Sequence, residues 1–247
     1  IVYMIFLIME LQVGGTLLSA STPVPYGLSV LLIGVLVAIY LMVGGFSVII
    51  RTDLLQFVMI ALVVLGFVLL GDYSAVESNA LAMMQADVLG VSWQRALGDT
   101  SLVIPGFIVT ADLWQRIFAA RTDDHARGGM FALGIGFFAL FTPMTLLALN
   151  AAELAPDLRD SEVFITAMEL FLPGWFMPLG ALAVLAIIMS SLDSFSFVTG
   201  QSLMNDTLMP LIPKSGNRPR FFARLGILVI FLAAIPIALG QPALTTL

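Results

Sequence analysis

Cysteine is absent from the 247 residues and histidine occurs once. Disulfide scaffolds, thiolate metal sites, cysteine nucleophiles and a paired-histidine zinc site are therefore excluded. Charge is scarce as well: Asp, Glu, Lys and Arg make up 11% of the chain, against about a quarter in a soluble domain. Soluble catalysis does not fit that composition, and the formal net charge of −6 speaks against a nucleic-acid partner. No basic stretch precedes the apolar run that opens at Ile1, so no signal peptide is visible, and the chain reads as a piece of a longer one. What it has in abundance is hydrophobic residues, 60% of the total, with a mean hydropathy of +1.06. This is the composition of a membrane protein whose first partner is the lipid bilayer.

A helix needs about 20 mostly apolar residues to cross the hydrocarbon core. Seven stretches qualify: about 1–20, 27–50, 54–70, 99–119, 128–150, 174–205 and 221–239. Breakers separate them, among them the two prolines of Ser21 to Tyr26 and the charged Arg51. The stretch from Gly71 to Gly98 is too polar to cross. With seven alternating spans, eight of the ten basic residues fall on one side: Arg51, Arg116, Arg121, Arg127, Lys214, Arg218, Arg220 and Arg224. Lys and Arg are retained on the cytoplasmic face, so the loops near 51, 116–127 and 214–224 are expected inside and the first span runs outward. The expected location is the plasma (inner) membrane, as a single multi-pass domain over 1–247.

Ionisable groups within spans default to function, because burying them in lipid is costly. Glu10, Asp112 and Asp193 lie inside spans and Asp53 at the start of one. Asp112 precedes Arg116 by four residues, the favourable order for a helix ion pair, and reads as structural. Asp53 either favours the positive end of its helix or serves coupling. Glu10 either projects into a helix interface or serves function. The sixth span is the most informative. At about 100° per residue, Ser190, Ser191, Ser194, Gln201, Ser202 and Asn205 project within about 120°, with Asp193 flanking them. Serine alone lets helices approach closely, but a packing face does not need a carboxylate, a glutamine and an asparagine. A water-lined path or an ion site fits better.

The fourth span holds Pro105 followed by Gly106, a breaker pair that either kinks the helix or interrupts it. Interrupted helices at membrane depth line cavities and hold substrates in secondary transporters. Pro143 in the fifth span carries a weaker form of the same signal.

Three segments, taken in order, resemble the sodium:solute symporter family. Tyr40 to Gln56 (YLMVGGFSVIIRTDLLQ) is similar to the family's tyrosine, double glycine, Thr-Asp and Gln. Asp112 to Arg121 (DLWQRIFAAR) is similar to its Gln-Arg and Ala-Ala-basic run, and Ala186 to Ser194 (AIIMSSLDS) to its Met-Ser-Ser/Thr segment. The resemblance implies an all-α membrane fold of two inverted five-helix repeats, with the seven spans as core helices three to nine and flanking helices missing at both ends. A chain so truncated is not expected to transport alone. The resemblance further implies a sodium site, with sodium as cargo, built from the hydroxyls of Ser190 and Ser191 and the carbonyl of Ile187. Neutral oxygens of this kind suit a hard cation. Asp193 departs from members with a small or neutral residue there, and joins Asp53 and Glu10 as a candidate for coupling or gating. Val103, Pro105 and Gly106 align with the solute cavity, and Val103 and Gly106 replace the polar groups of sugar-transporting relatives, which casts doubt on a sugar.

The expected function is part of a secondary active transporter, not an enzyme, that couples uptake of a small polar organic solute to sodium entry. Alternatives are a proton-coupled symporter and a symporter-like sensor domain of a signalling protein. An intramembrane hydrolase would need a base for its serine, and His125 is assigned to a cytoplasmic loop.

Overall fold

A computed structural model describes residues 2–71, 110–154, 163–211 and 219–240. Among these residues every regular element is helical. They are α1 (Val2–Ser21), α2 (Tyr26–Gly44), α3 (Phe46–Leu70), α4 (Ala111–Phe118), α5 (Asp123–Leu154), α6 (Val163–Phe171), α7 (Met177–Ser202) and α8 (Pro219–Gly240). A 3-10 turn at Gly174–Phe176 leads into α7, and α7 runs on into a π-helical turn at Leu203–Leu208. Six stretches among the described residues are long and apolar enough to cross a membrane: Val2–Ser19, Tyr26–Gly44, Phe46–Leu70, Asp123–Thr145, Gly174–Leu208 and Phe221–Gly240. Of the fourth expected span, 99–119, only the last part is described, as α4, so Val103, Pro105 and Gly106 lie outside the described residues. Pro143 does not interrupt α5, which continues as helix to Leu154.

One expected boundary moves. The second span was expected to run to residue 50 and the third to begin at 54, with Arg51 in a loop between them. The chain instead breaks at Gly45 and is helical again from Phe46, so Arg51 and Asp53 stand within the first two turns of α3. The reason is backbone conformation. Gly45 has φ +55° and ψ −146°, a region open essentially to glycine. From there its N–H closes α2 onto the Leu41 carbonyl at 2.8 Å, and its own carbonyl accepts the Val48 N–H at 3.1 Å. A charged residue can stay helical, whereas Gly45 at these angles interrupts the helix.

The helices fall into two compact units, 1–60 with 181–247, and 61–180. In the first, α2 buries Val30, Ile33, Val37 and Leu41, spaced three or four residues apart, so they form one stripe. Leu7 and Leu11 of α1, Leu192 of α7, and Ile227, Ile230 and Phe231 of α8 close around that stripe. The opposite face of α2 is equally apolar, with Leu31, Leu32, Val35, Leu36 and Ile39 exposed, as expected of a helix bathed in lipid. Helix directions follow from contacts along their length. Tyr26 donates its hydroxyl to the Ala238 carbonyl at 2.9 Å, and Arg224 donates to the Val43 carbonyl at 3.3 Å, so α2 and α8 are antiparallel. Phe46 stacks on Phe197, Thr52 bonds Asp193, and Asp53 bonds Ser190, so α3 and α7 are antiparallel as well.

α7 and α8 approach closely at one point. A Cβ on Gly226 would lie 2.4 Å from the Gly200 carbonyl oxygen. Only two glycines allow the backbones to meet there, which is how membrane helices gain packing without a hydrophobic drive.

In the second unit, α5 packs against α6, and Leu147 and Ala151 of α5 and Ala167 and Met168 of α6 are buried. A Cβ on Gly66 of α3 would meet the Phe176 ring at 2.2 Å. The earlier half of α5 presents Phe131, Ile135 and Phe138 outward. The ion pair expected in α4 is present, with Arg116 Nη1 3.4 Å from Asp112 Oδ2.

Candidate functional site

The polar residues of α7 stand in an uninterrupted α-helix from Met177 to Ser202, so Ile187, Ser190, Ser191 and Asp193 keep helical spacing. Ser191 Oγ lies one turn above Ile187, 3.4 Å from its carbonyl oxygen, and the Glu10 carboxyl of α1 stands near enough to interact with it. Ser190, on the adjacent strip of the helix, donates to Asp53 Oδ1 of α3 at 3.0 Å. The expected candidates thus divide into two neighbouring sets, Ile187 with Ser191 and Glu10, and Ser190 with Asp53.

Asp193 is the most deeply buried polar group at the site, with no exposed surface. Its partners come from other helices. The Tyr40 hydroxyl of α2 donates to Oδ1, and Thr52 Oγ1 of α3 donates to Oδ2 at 3.0 Å. Thr52 also lies 3.1 Å and 3.0 Å from the carbonyls of Val48 and Ile49, which it shares with the carboxylate. Each carboxyl oxygen of Asp193 thus receives one hydroxyl donor, a contact that favours the ionised form. Tyr40 and Thr52 flank the Gly45 break, so Asp193 clamps α7 onto both sides of the elbow between α2 and α3. Neighbouring serines complete the helix differently: Ser196 is buried and returns its hydroxyl to the Leu192 carbonyl, and Ser202 turns to Asp206 at 2.7 Å within the π-helical turn.

Neither Tyr40 nor Thr52 is singled out by the sequence as a partner of Asp193. Both stand in the segment that carries the family resemblance, but they are 153 and 141 residues away from Asp193. Nothing in helical periodicity relates positions on different helices.

Gln56 also belongs to this region. It is 6% exposed, and its Oε1 is buried without a hydrogen-bond partner.

A helical membrane domain with a buried carboxylate and hydroxyl cluster on one helix is consistent with several ion-coupled transporters. The comparison that decides among them is a family model, described as the sodium:solute symporter family, which matches residues 1–245. The chain belongs to the sodium:solute symporter family. Its members are transporters rather than enzymes, and sodium is their co-transported ion, cargo and not a resident cofactor. No curated protein and no solved structure gives a significant match. Of the three segments that carry the sequence resemblance, those of the α7 hydroxyl pair and of the Gly45 elbow lie in one unit of the structure, and Asp112 to Arg121 lies in the other.

Proposed function

We propose that the chain forms part of a secondary active transporter that couples sodium entry to uptake of a small polar organic solute. The observation that carries this reading is the cluster on α7: two adjacent hydroxyls and a carbonyl, with the Asp53 carboxylate accepting from Ser190 and the Glu10 carboxyl near Ser191. Ser190, Ser191 and the Ile187 carbonyl are the proposed sodium ligands. A cation of calcium's size holds oxygens at about 2.4 Å, so two ligands at a right angle lie about 3.4 Å apart. Sodium is of that size, and the 3.4 Å between Ser191 Oγ and the Ile187 oxygen supports the assignment. Asp53 and Glu10 supply the negative field that draws the ion in and are the coupling candidates. Asp193, engaged by Tyr40 and Thr52, acts as the gate that holds α7 in register. The solute cavity is assigned to Val103, Pro105 and Gly106 by resemblance.

Seven spans are part of this reading. Antiparallel α3 and α7 need an even number of crossings between them. α5 and the stretch 99–119, most of which lies outside the described residues, are counted as two such crossings. The same parity puts Arg51 and Arg224 on one side, the cytoplasmic side by the positive-inside rule. Uptake of a panel of labelled amino acids and carboxylates by the full-length protein in proteoliposomes tests the function. An inward sodium gradient should drive accumulation of at least one of them. Accumulation driven equally well by a proton gradient without sodium overturns the sodium coupling.

A further inference from the structure

Gln56 buries its Oε1 with no hydrogen-bond partner among the described residues. A buried acceptor left unpaired destabilises the fold, and native structures keep few of them. A leucine or methionine at this position would fill similar volume with no such penalty. The side chain is also well placed. On α3, at about 100° and about 1.5 Å per residue, Gln56 projects about 40° from Thr52 and about 60° from Asp53, between the two and about one turn further along. Thr52 and Asp53 both reach α7, so Gln56 faces the same seam. Continuing the antiparallel pairing of Phe46 with Phe197, Thr52 with Asp193 and Asp53 with Ser190 brings Gln56 level with Ile187 to Met189. It is the eleventh residue of the 25 in α3, close to the middle of the span, the depth at which transporters bind their solutes.

We propose that Gln56 reads the solute: its Oε1 accepts a hydrogen bond from an N–H or O–H group of the transported molecule, beside the carbonyl of Ile187. The inference rests on the uptake reading above. Sodium is the weaker fit for this oxygen, because a hard cation gathers several oxygens and Gln56 offers a single one. One free neutral acceptor matches one donor. It also provides selectivity, since a site that leaves a buried polar group unpaired discriminates strongly against an analogue lacking the partner.

The test uses the full-length protein in proteoliposomes, the labelled amino-acid and carboxylate panel, and the variants Gln56→Met and Gln56→Glu. Gln56→Met should raise the KM for the accumulated solute by about ten- to a hundredfold, leave the sodium concentration for half-maximal uptake within about twofold, and not lower the thermal stability of the solute-free protein. Gln56→Glu, which keeps an acceptor oxygen, should recover part of the solute affinity. An unchanged KM in Gln56→Met overturns the inference while leaving sodium-coupled uptake intact. So does a shift in sodium dependence as large as that in KM, which assigns the oxygen to the ion, or a loss of solute-free stability, which makes the residue structural. Failure of the wild-type protein to accumulate any member of the panel with sodium overturns the uptake reading, and this inference with it.

Discussion

Replacing Tyr40 with phenylalanine removes one oxygen from the clamp on Asp193 and leaves the ring in place. Asp193 has no exposed surface, so water does not take over the lost donor, and Thr52 remains as a partner to Oδ2. Hydrogen bonds to charged groups contribute about 1.5–3 kcal/mol, while side-chain hydrogen bonds between membrane helices average about 0.6 and reach about 1.7 kcal/mol. A buried carboxylate belongs at the upper end of the second range, so Tyr40→Phe should destabilise the protein by about 1.5 kcal/mol. Thr52→Val should lose less, since that hydroxyl is shared with the Val48 and Ile49 carbonyls. The assay is equilibrium unfolding of the full-length protein in mixed micelles, run as a double-mutant cycle with Asp193→Ala. Groups in direct contact couple by about 0.5–3 kcal/mol, and at least about 1 kcal/mol is expected here. Additive effects, within about 0.5 kcal/mol, would refute the clamp.

Gly45→Ala should destabilise by about 1–2 kcal/mol, because a Cβ opposes the positive φ, and the loss should appear as a lower unfolding midpoint rather than as weaker sodium binding. Gly226→Ala adds one methyl facing the Gly200 carbonyl and should lower stability by about 1–3 kcal/mol through overpacking; an unfolding midpoint equal to wild type would show that α8 does not approach α7 so closely. A cysteine at His125, which no native thiol accompanies, should resist an impermeant thiol reagent in intact cells and react after permeabilisation, and labelling from outside would invert the proposed orientation.

The spans were legible in the sequence because a bilayer imposes length and apolarity directly, and five of the six described spans lie close to their expected positions. The other, α3, starts eight residues before the position expected for it. The misplaced boundary at Arg51 shows where that logic stops: a charge near a helix end looks like a loop, whereas the break was set by the backbone conformation of Gly45. At the site, periodicity along one helix was enough to put Ser190, Ser191 and Asp193 on α7 and to mark them as polar neighbours. It held no information on which helix each would face. Asp53 therefore reads in the sequence either as a helix-end charge or as a coupling residue, and it bonds Ser190; Asp193 reads as a companion of the serines and holds Tyr40 and Thr52. Gln56 stood within a quoted motif, but an unpaired oxygen is a property of three-dimensional surroundings and leaves no mark in the sequence.

The most direct test of the sodium site is a binding isotherm for radioactive sodium on the purified full-length protein, comparing wild type with Ser190→Ala and Ser191→Ala. Each variant removes one oxygen without adding bulk. The sodium Kd should rise by roughly tenfold or more in each, with little change in the unfolding midpoint. A sodium Kd unchanged in both variants would contradict the account and leave the hydroxyls of α7 as groups that bond neighbouring helices and nothing more.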